Sequence, residues 1–413
     1  MRRGGGLSTT SRLRTLDLIR GIAVLGILAV NVASFAAPSA ASYSPNLPIP
    51  GSAADQWGFA VMLVLFEGKM RALFSILFGA SLLLFVERKD EAGLDGQALQ
   101  IRRLLWLALF GLLHFALFWD GDILFLYACV GLGALLLRRP PDWQLAMIAV
   151  FIFTIWQAWG VSMWAHSALL ESRVAAGMAT PEEQAELSRI IASNRTEDRE
   201  DTQATLSSYT TEVTTRLTKH PDYPLAMVIY NWGETLSYIL IGMALLKSGF
   251  FAHEWSRRRL WVMALLGTGL GGAVTIAFTA WAHQSGYPEL IMHLMIRYGL
   301  SFPHLLMALG YAALLVLAAP VLLRSGLGQR LEAAGTMAFS NYLGTTVVMC
   351  FIFYGWGLGL FGQYGAAGQW LFVLLGWALM LAWSKPWLSR FRQGPLEWLW
   401  RSLTDGRLAK FNR

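Results

Sequence analysis

The chain has 413 residues, 55% of them hydrophobic and only 14% charged, with 18 Trp and a mean hydropathy of +0.47, a balance that describes a polytopic membrane protein rather than a soluble domain. Its net charge of +7 is carried mainly in short loops between apolar runs, which reads as an orientation signal and excludes a nucleic-acid surface. The two cysteines, Cys129 and Cys350, both lie in apolar stretches and form neither a disulfide framework nor a metal set.

A helix needs about 20 apolar residues to cross a hydrocarbon core of roughly 30 Å. Ten such spans are predicted, near 16–36, 57–86, 101–119, 122–137, 143–165, 225–247, 259–282, 299–323, 336–354 and 368–385. The expected fold is therefore an all-α polytopic helical bundle, a single integral domain over 1–413. Arg2, Arg3, Arg12 and Arg14, then Arg88 and Lys89, Arg102 and Arg103, Arg138 and Arg139, Arg257 to Arg259, Arg324 and Arg330, and the tail from Arg390 all fall on one side. The positive-inside rule makes that side cytoplasmic and puts both termini there. The first span follows Arg12 and Arg14 and precedes small residues, so it resembles a signal peptide; its length and the charge-sided topology favour a retained span.

Along the first span, Asp17 and Arg20 stand at the inner boundary, as interfacial groups or as an entrance for a polar cytoplasmic cofactor. The second span carries Glu67, Lys69 and Arg71. Glu67 and Arg71 are four apart on one helix face, a spacing that pairs them. Lys69 points elsewhere, where it is either structural or able to hold an anionic group or polarise a carbonyl. In the third span, His114 lies eleven residues beyond Arg103, on the order of 16 Å at a helical rise of 1.5 Å per residue, and Asp120-Gly121-Asp122 follows at the outer mouth. Asp-Gly-Asp also makes a compact interhelical turn, and a buried His is often only a hydrogen-bonding partner. Intramembrane ionisable groups nevertheless point to function. An aspartate reaching the imidazole would orient it as a general base.

Residues 166–224 are polar, acidic in balance and helix-patterned from Pro181, an extracytoplasmic insertion read either as a lid or as a solvated helical segment. Asn194-Arg195-Thr196 fits a glycosylation sequon, a pattern too short to carry weight alone. The sixth span repeats polar residues at Asn231, Glu234 and Tyr238, and the eighth at Arg297, Ser301, His304 and Tyr311. Each set lines one helix face. Glu234 and His304 fall at the level of His114, which predicts a wet chamber in the outer half. Ser340, Asn341 and Tyr342 begin the ninth span at the inner side. The segment 386–413 is a cytoplasmic amphipathic tail, and Trp387 to Thr404 within it read as a helix on the inner membrane surface. No G-x-x-x-x-G-K-[ST], H-E-x-x-H or G-x-S-x-G string occurs, which disfavours an ATP-driven pump, a zinc protease and a serine hydrolase.

Several strings together carry a family resemblance. They are Leu16-Asp17-Leu-Ile-Arg20-Gly21 through Asn31, Lys69-Met-Arg71 through Ser75, Phe78 and Gly79, and the run through His114 and Trp119-Asp120-Gly121-Asp122. Met337 through Asn341-Tyr342, Tyr354 through Phe361, and Gly394-Pro395-Leu-Glu397-Trp398 through Thr404 complete the set. Over nearly its whole length the chain resembles the YeiB-like family of bacterial inner-membrane proteins. That family is similar to the transmembrane acyltransferases related to heparan-alpha-glucosaminide N-acetyltransferase, which carry an acetyl group from cytosolic acetyl-CoA to an acceptor on the other side. The resemblance implies an active-site role for Asn31, which matches the asparagine ending the first-span motif. It departs at the catalytic histidine of those enzymes, which follows that asparagine; Ser34 to Gly51 contain none, leaving His114 or His304 to take the role.

The expected function is membrane-embedded acyl transfer, with acetyl-CoA or another acyl-CoA as donor, no metal, and a sugar, glycolipid or small molecule as acceptor at the outer face. His114, Asp120 or Asp122, and Asn31 form the expected catalytic set. Glu67, Lys69, Arg71, Glu234 and His304 are expected to bind substrate, and Arg20, Asn341 and Tyr342 to receive the donor. Membrane lipids are the expected partners, nucleic acid is not one, and a homodimer is left open. The alternative is a proton-coupled exporter of a small polar or amphipathic solute, using His114, Glu234 and His304 as a relay.

Overall fold

The structure, a computed structural model, describes residues 9–412; Arg2 and Arg3 of the predicted inner charge set lie outside them. Among the described residues every named element is helical. The chain enters through α1 (Thr9–Ala36), then α2 (Ala53–Leu65), α3 (Lys69–Glu91), α4 (Gly96–Leu117) and α5 (Leu124–Leu136). A long α6 (Asp142–Ala175) leads out to α7 (Pro181–Thr205) and α8 (Tyr209–Lys219), and α9 (Tyr223–Lys247) returns through the bundle. The second half runs α10 (Arg257–Gln284), α11 (Glu289–Leu294), a π turn at Met295–Gly299, α12 (Ser301–Leu322), α13 (Gly326–Thr336), α14 (Ala338–Phe353), α15 (Ala366–Arg390) and α16 (Pro395–Asp405).

Seven of the described helical segments are long and apolar enough to cross a membrane, or eight if α13 and α14, bent by 85°, make one span. The difference from ten lies in three elements. The segment 122–137 is only the 13-residue α5. The 16-residue α14 needs α13 to complete it. The 25-residue α9 is long enough, but its stripe of Asn231, Glu234 and Tyr238 dilutes its apolarity. That stripe is affordable because α9 is the buried centre of the bundle rather than a lipid-facing strut. Its backbone crosses α3 so closely that a Cβ at Gly79 would lie 2.1 Å from the Ile239 carbonyl oxygen, and one at Gly242 1.9 Å from that of Ile76. Small residues permit this contact, the usual currency of helix packing in lipid.

The outer helices show the opposite pattern. Met147, Val150, Phe151 and Ile155 on α6, Leu265, Leu266 and Leu270 on α10, and Leu371, Leu374 and Leu375 on α15 are exposed. Apolar faces this extensive fit a hydrocarbon solvent.

The predicted second span is interrupted. α2 ends at Leu65, Gly68 takes φ +72°, and α3 restarts at Lys69. Two carbonyls freed by the break are satisfied by side chains: Lys69 Nζ donates to Leu63 O at 2.7 Å and Tyr311 Oη to Leu65 O at 3.3 Å. The expected helix at Pro181 is present, opened by a capping box between Thr180 and Glu183 with Pro181 in the first turn. Beyond it, α8 is fastened over the end of α4. Arg216 donates to the carbonyls of Phe115 (3.1 Å), Ala116 (3.4 Å) and Phe118 (3.3 Å) and pairs with Glu212, which also accepts from Trp356 Nε1 at 3.0 Å. Asn194, the sequon residue, donates its amide to Glu289 at 2.9 Å. At the opposite, basic end, α16 packs across the bundle against α4 and α14.

Candidate functional site

α4 stops at Leu117, and the turn that follows folds the chain back over its own last turn. That reversal brings Asp122 to His114: Nδ1 of the imidazole lies 2.8 Å from Asp122 Oδ1, with the two side chains 1% and 3% exposed. Asp122 Oδ2 accepts from the Phe125 amide at 3.0 Å, so both carboxylate oxygens are held. The approach depends on Gly111, where a Cβ would sit 2.4 Å from the Phe125 nitrogen and 2.7 Å from Asp122 Oδ2. Asp120 is exposed and makes no contact with the ring. With Nδ1–H donating to Asp122, the neutral ring presents its Nε2 lone pair as an acceptor, the tautomer a general base requires. Among the described residues, the buried Nε2 has no hydrogen-bond partner, and neither has Tyr342 Oη; the two rings lie 5.6 Å apart. Two unsatisfied buried polar atoms side by side carry a cost that a functional role would justify.

Tyr342 belongs to α14, just past the 85° bend. The bend is fixed from the basic end by Glu397 of α16, whose carboxylate accepts from the Phe339 amide at 2.8 Å, the Ser340 amide at 3.0 Å and the Ser340 hydroxyl at 2.5 Å. These contacts cap the N-terminus of α14 with a negative charge. Burial raises the Glu397 carboxyl above its ordinary range, against the pull of the three donors. The neighbouring Asn341 is a structural tie. Its Nδ2 donates to Ala334 O (3.0 Å) and Ser384 Oγ (3.1 Å), and its Oδ1 accepts from Trp383 Nε1 at 2.8 Å, so the amide joins α13, α14 and α15 and faces away from open space.

A cavity of about 550 Å³ opens at the basic end and reaches Tyr342, Ile123 and Tyr127. Phe74, Phe78, Phe339 and Leu107 wall its shaft, while Arg20, Arg88, Lys89, Arg103, Arg392 and Arg401 stand around its mouth with Glu397 and Asp405. Arg20 is held by Asp17 at 2.5 Å and by Ser81 Oγ at 2.7 Å. Lys89 is spent on Asp405 at 3.0 Å. The Arg103 guanidinium lies 4.8 Å from the Phe85 ring centroid and 4.1 Å from that of Trp400. Such a space, cationic at its rim and apolar along its walls, suits an anionic head with a long thin arm.

Asn31 is half-buried on α1. It shares a helix face with Phe35, whose ring packs 4.2 Å from Trp119, and Trp119 in turn lies 6.2 Å from His114.

The remaining predicted residues gather in a second buried cluster. Because the helix breaks at 66–68, Glu67 and Arg71 do not share one face, and the expected pair between them does not form; Arg71 pairs instead with Glu234 of α9 at 3.3 Å. Tyr238 donates to Glu234 at 2.9 Å, and Arg297 to Asn231 at 3.1 Å. Lys69 is fully buried beside the break, and His304 lies directly over Gly68, where a Cβ would be 2.1 Å from His304 Nδ1. The hydroxyls of Tyr127 and Ser75, 2.8 Å apart, stand between this cluster and the cavity.

Of the mouth arginines only Arg20 is expected from the sequence to meet a ligand; the others read as an orientation signal alone, and Arg216 carries no sequence signal for its role. Sequence reasoning also left Glu397 without a role, although the residue stands inside one of the strings quoted for the family resemblance.

Residues 245–407 match a family described as "Protein of unknown function (DUF418)". The chain is 32% identical to "Uncharacterized protein YxaH" of Bacillus subtilis (strain 168), covering 96% of this chain and 95% of that one. It is 31% identical to "Uncharacterized protein YeiB" of Escherichia coli (strain K12), covering 94% and 95%. A shorter stretch, 30% of this chain and 34% of the relative, is 33% identical to "Uncharacterized 39.9 kDa protein in amylase 3'region" of Bacillus acidopullulyticus. No solved structure matches.

Proposed function

Since the chain belongs to the YeiB-like family, we propose that it is a membrane-embedded acyltransferase taking an acyl group, acetyl by resemblance, from acyl-CoA. In this reading it lies in the bacterial inner membrane with ten crossings, α5, α9 and the α13–α14 pair included, and with both termini and the basic cavity mouth in the cytoplasm. The observation that carries the proposal is the Asp122-held His114, its Nε2 unpartnered beside Tyr342, the tyrosine reached by a cavity with a cationic mouth. The donor's phosphates would rest among Arg88, Arg392 and Arg401, and its pantetheine arm would run along Phe74, Phe78 and Phe339 toward Tyr342.

Behind Tyr342, His114 Nε2 takes the proton of an acceptor hydroxyl or amine as its oxygen or nitrogen attacks the thioester carbonyl carbon. The tetrahedral oxyanion lies within the province of the Tyr342 hydroxyl and the Asn31 amide. Its collapse breaks the C–S bond, and the imidazolium returns the proton to the departing thiolate. Asp122 holds the tautomer throughout and stabilises the transient imidazolium. The acceptor, a sugar, glycolipid or small molecule, approaches from the outer face, where α8 overlies the end of α4.

The test is to incubate the purified protein with isotope-labelled acetyl-CoA and envelope extract and to search for a labelled covalent product by mass spectrometry. A labelled product and release of free CoA are expected; CoA left fully acylated overturns the proposal.

One observation favours a second reading. The interruptions at 66–68 and 295–299 occur next to Lys69, Arg71, Glu234 and His304, and discontinuous helices around buried charges are a transporter device. That reading predicts solute flux driven by a pH gradient, with no covalent product.

A further inference from the structure

The second cluster holds an arginine that no carboxylate neutralises. Arg71 pairs with Glu234, whereas Arg297 has no carboxylate within 4 Å among the described residues and donates to the neutral amide of Asn231. Lys69, fully buried, donates to the Leu63 carbonyl. An uncompensated cation at membrane depth is costly enough that it marks a ligand or ion path.

Two side chains of this cluster also keep unfinished valences. Arg71 Nε and His304 Nε2 are buried without a partner among the described residues. His304 is 1% exposed. The Arg71 side chain, by contrast, is 32% accessible in the middle of the bundle, while its partner Glu234 is 8%. Arg71 shares the α3 face that carries Phe74 and Phe78, three and seven residues on, which wall the large cavity. Asn231 and Glu234 are three apart on α9, so the two guanidinium groups they hold lie one turn from each other.

We infer that the α2–α3 break is a binding site for a carboxylate-bearing small molecule, held by the guanidinium groups of Arg71 and Arg297 with His304 beside them. The unneutralised charge of Arg297 fits a monoanion, and a planar carboxylate matches the fork of the Arg71 guanidinium, whose Nε is unengaged. The site needs neither acyl-CoA nor a transfer step, so it stands independently of the proposed acyl transfer.

The test uses the full chain in lipid nanodiscs, titrated with sodium acetate, with acetamide as the neutral isostere, sodium chloride as the ionic control and inorganic phosphate as the dianion. Saturation-transfer NMR and thermal unfolding are the two readouts. Acetate is expected to bind saturably and raise the unfolding midpoint, and acetamide and chloride to do neither. Arg297→Gln and the charge-balanced pair R71Q/E234Q are each expected to weaken acetate at least about tenfold, the loss of one charge-assisted hydrogen bond. Acetate behaving like chloride or acetamide, phosphate binding more tightly than acetate, or folded variants that keep wild-type affinity would each overturn the assignment. The wild-type series decides the matter by itself where a variant does not fold.

Discussion

His114 and His304 are both buried in the bundle, 2% and 1% exposed, and both leave Nε2 without a partner, yet their surroundings are opposite. His114 is backed by a carboxylate at 2.8 Å and sits beside Tyr342, a phenol that lines the cavity. His304 has no carboxylate on its ring among the described residues and sits over a glycine among lysine and arginine. The difference teaches that the groups against the ring, not burial, assign a histidine its chemistry. A carboxylate-backed ring accepts and returns a proton, whereas a ring among cations is suited to donating a hydrogen bond to an anion.

The sharpest way to break this contrast is to remove the carboxylate. Asp122→Asn turns an acceptor toward Nδ1 into a possible donor and frees the wrong tautomer. Acyl transfer is expected to fall by about 10²–10⁴-fold with acyl-CoA binding retained. Unchanged turnover would make Asp122 merely a turn residue. A smaller effect tests the other histidine. Gly68→Ala forces a side chain into a positive φ and against His304 Nδ1, so it is expected to lower stability by more than the about 1–2 kcal/mol of the backbone strain alone. Gly93→Ala, at φ +75° with nothing within 4 Å, should show the strain alone. Equal unfolding midpoints for the two variants would contradict the packing of His304 on the break.

The smallest expected effect concerns the outer cover of the His114 helix. Burial pushes the Glu212 carboxyl up to about 7 from an ordinary 4.5, despite Arg216 beside it. The folded chain therefore holds a proton that the unfolded chain has lost, and the stability this contributes is present below about pH 4.5 and lost as pH rises to about 7. Amide hydrogen exchange in α8 should quicken across that window. Glu212→Gln should flatten the profile, and a profile unchanged by that substitution would remove Glu212 as its cause.

The His114 site was legible because it is local. Eight residues separate His114 from Asp122, and a helix end followed by Asp-Gly-Asp folds one onto the other with no distant information. The helical class and the apolar character were legible for the same reason, since hydropathy is read window by window. The break at 66–68 left a signal in Gly68, but an apolar run on both sides masked it. The pair of Arg71 with Glu234, the Glu397 cap on α14 and the cavity mouth join residues far apart in the chain, and helical periodicity says only that each has a face, not which face it meets. Asn341 shows the converse. A polar residue at a span entrance reads as a ligand-binding group, while its amide is consumed by three neighbouring contacts that no spacing rule anticipates.

The most direct measurement is acyl transfer by His114→Ala beside the wild type, with folding checked by thermal unfolding and acyl-CoA binding measured on the same preparations. The account predicts a folded variant that binds acyl-CoA as the wild type does and transfers at least about 10²-fold more slowly. A folded variant that transfers at the wild-type rate would contradict it.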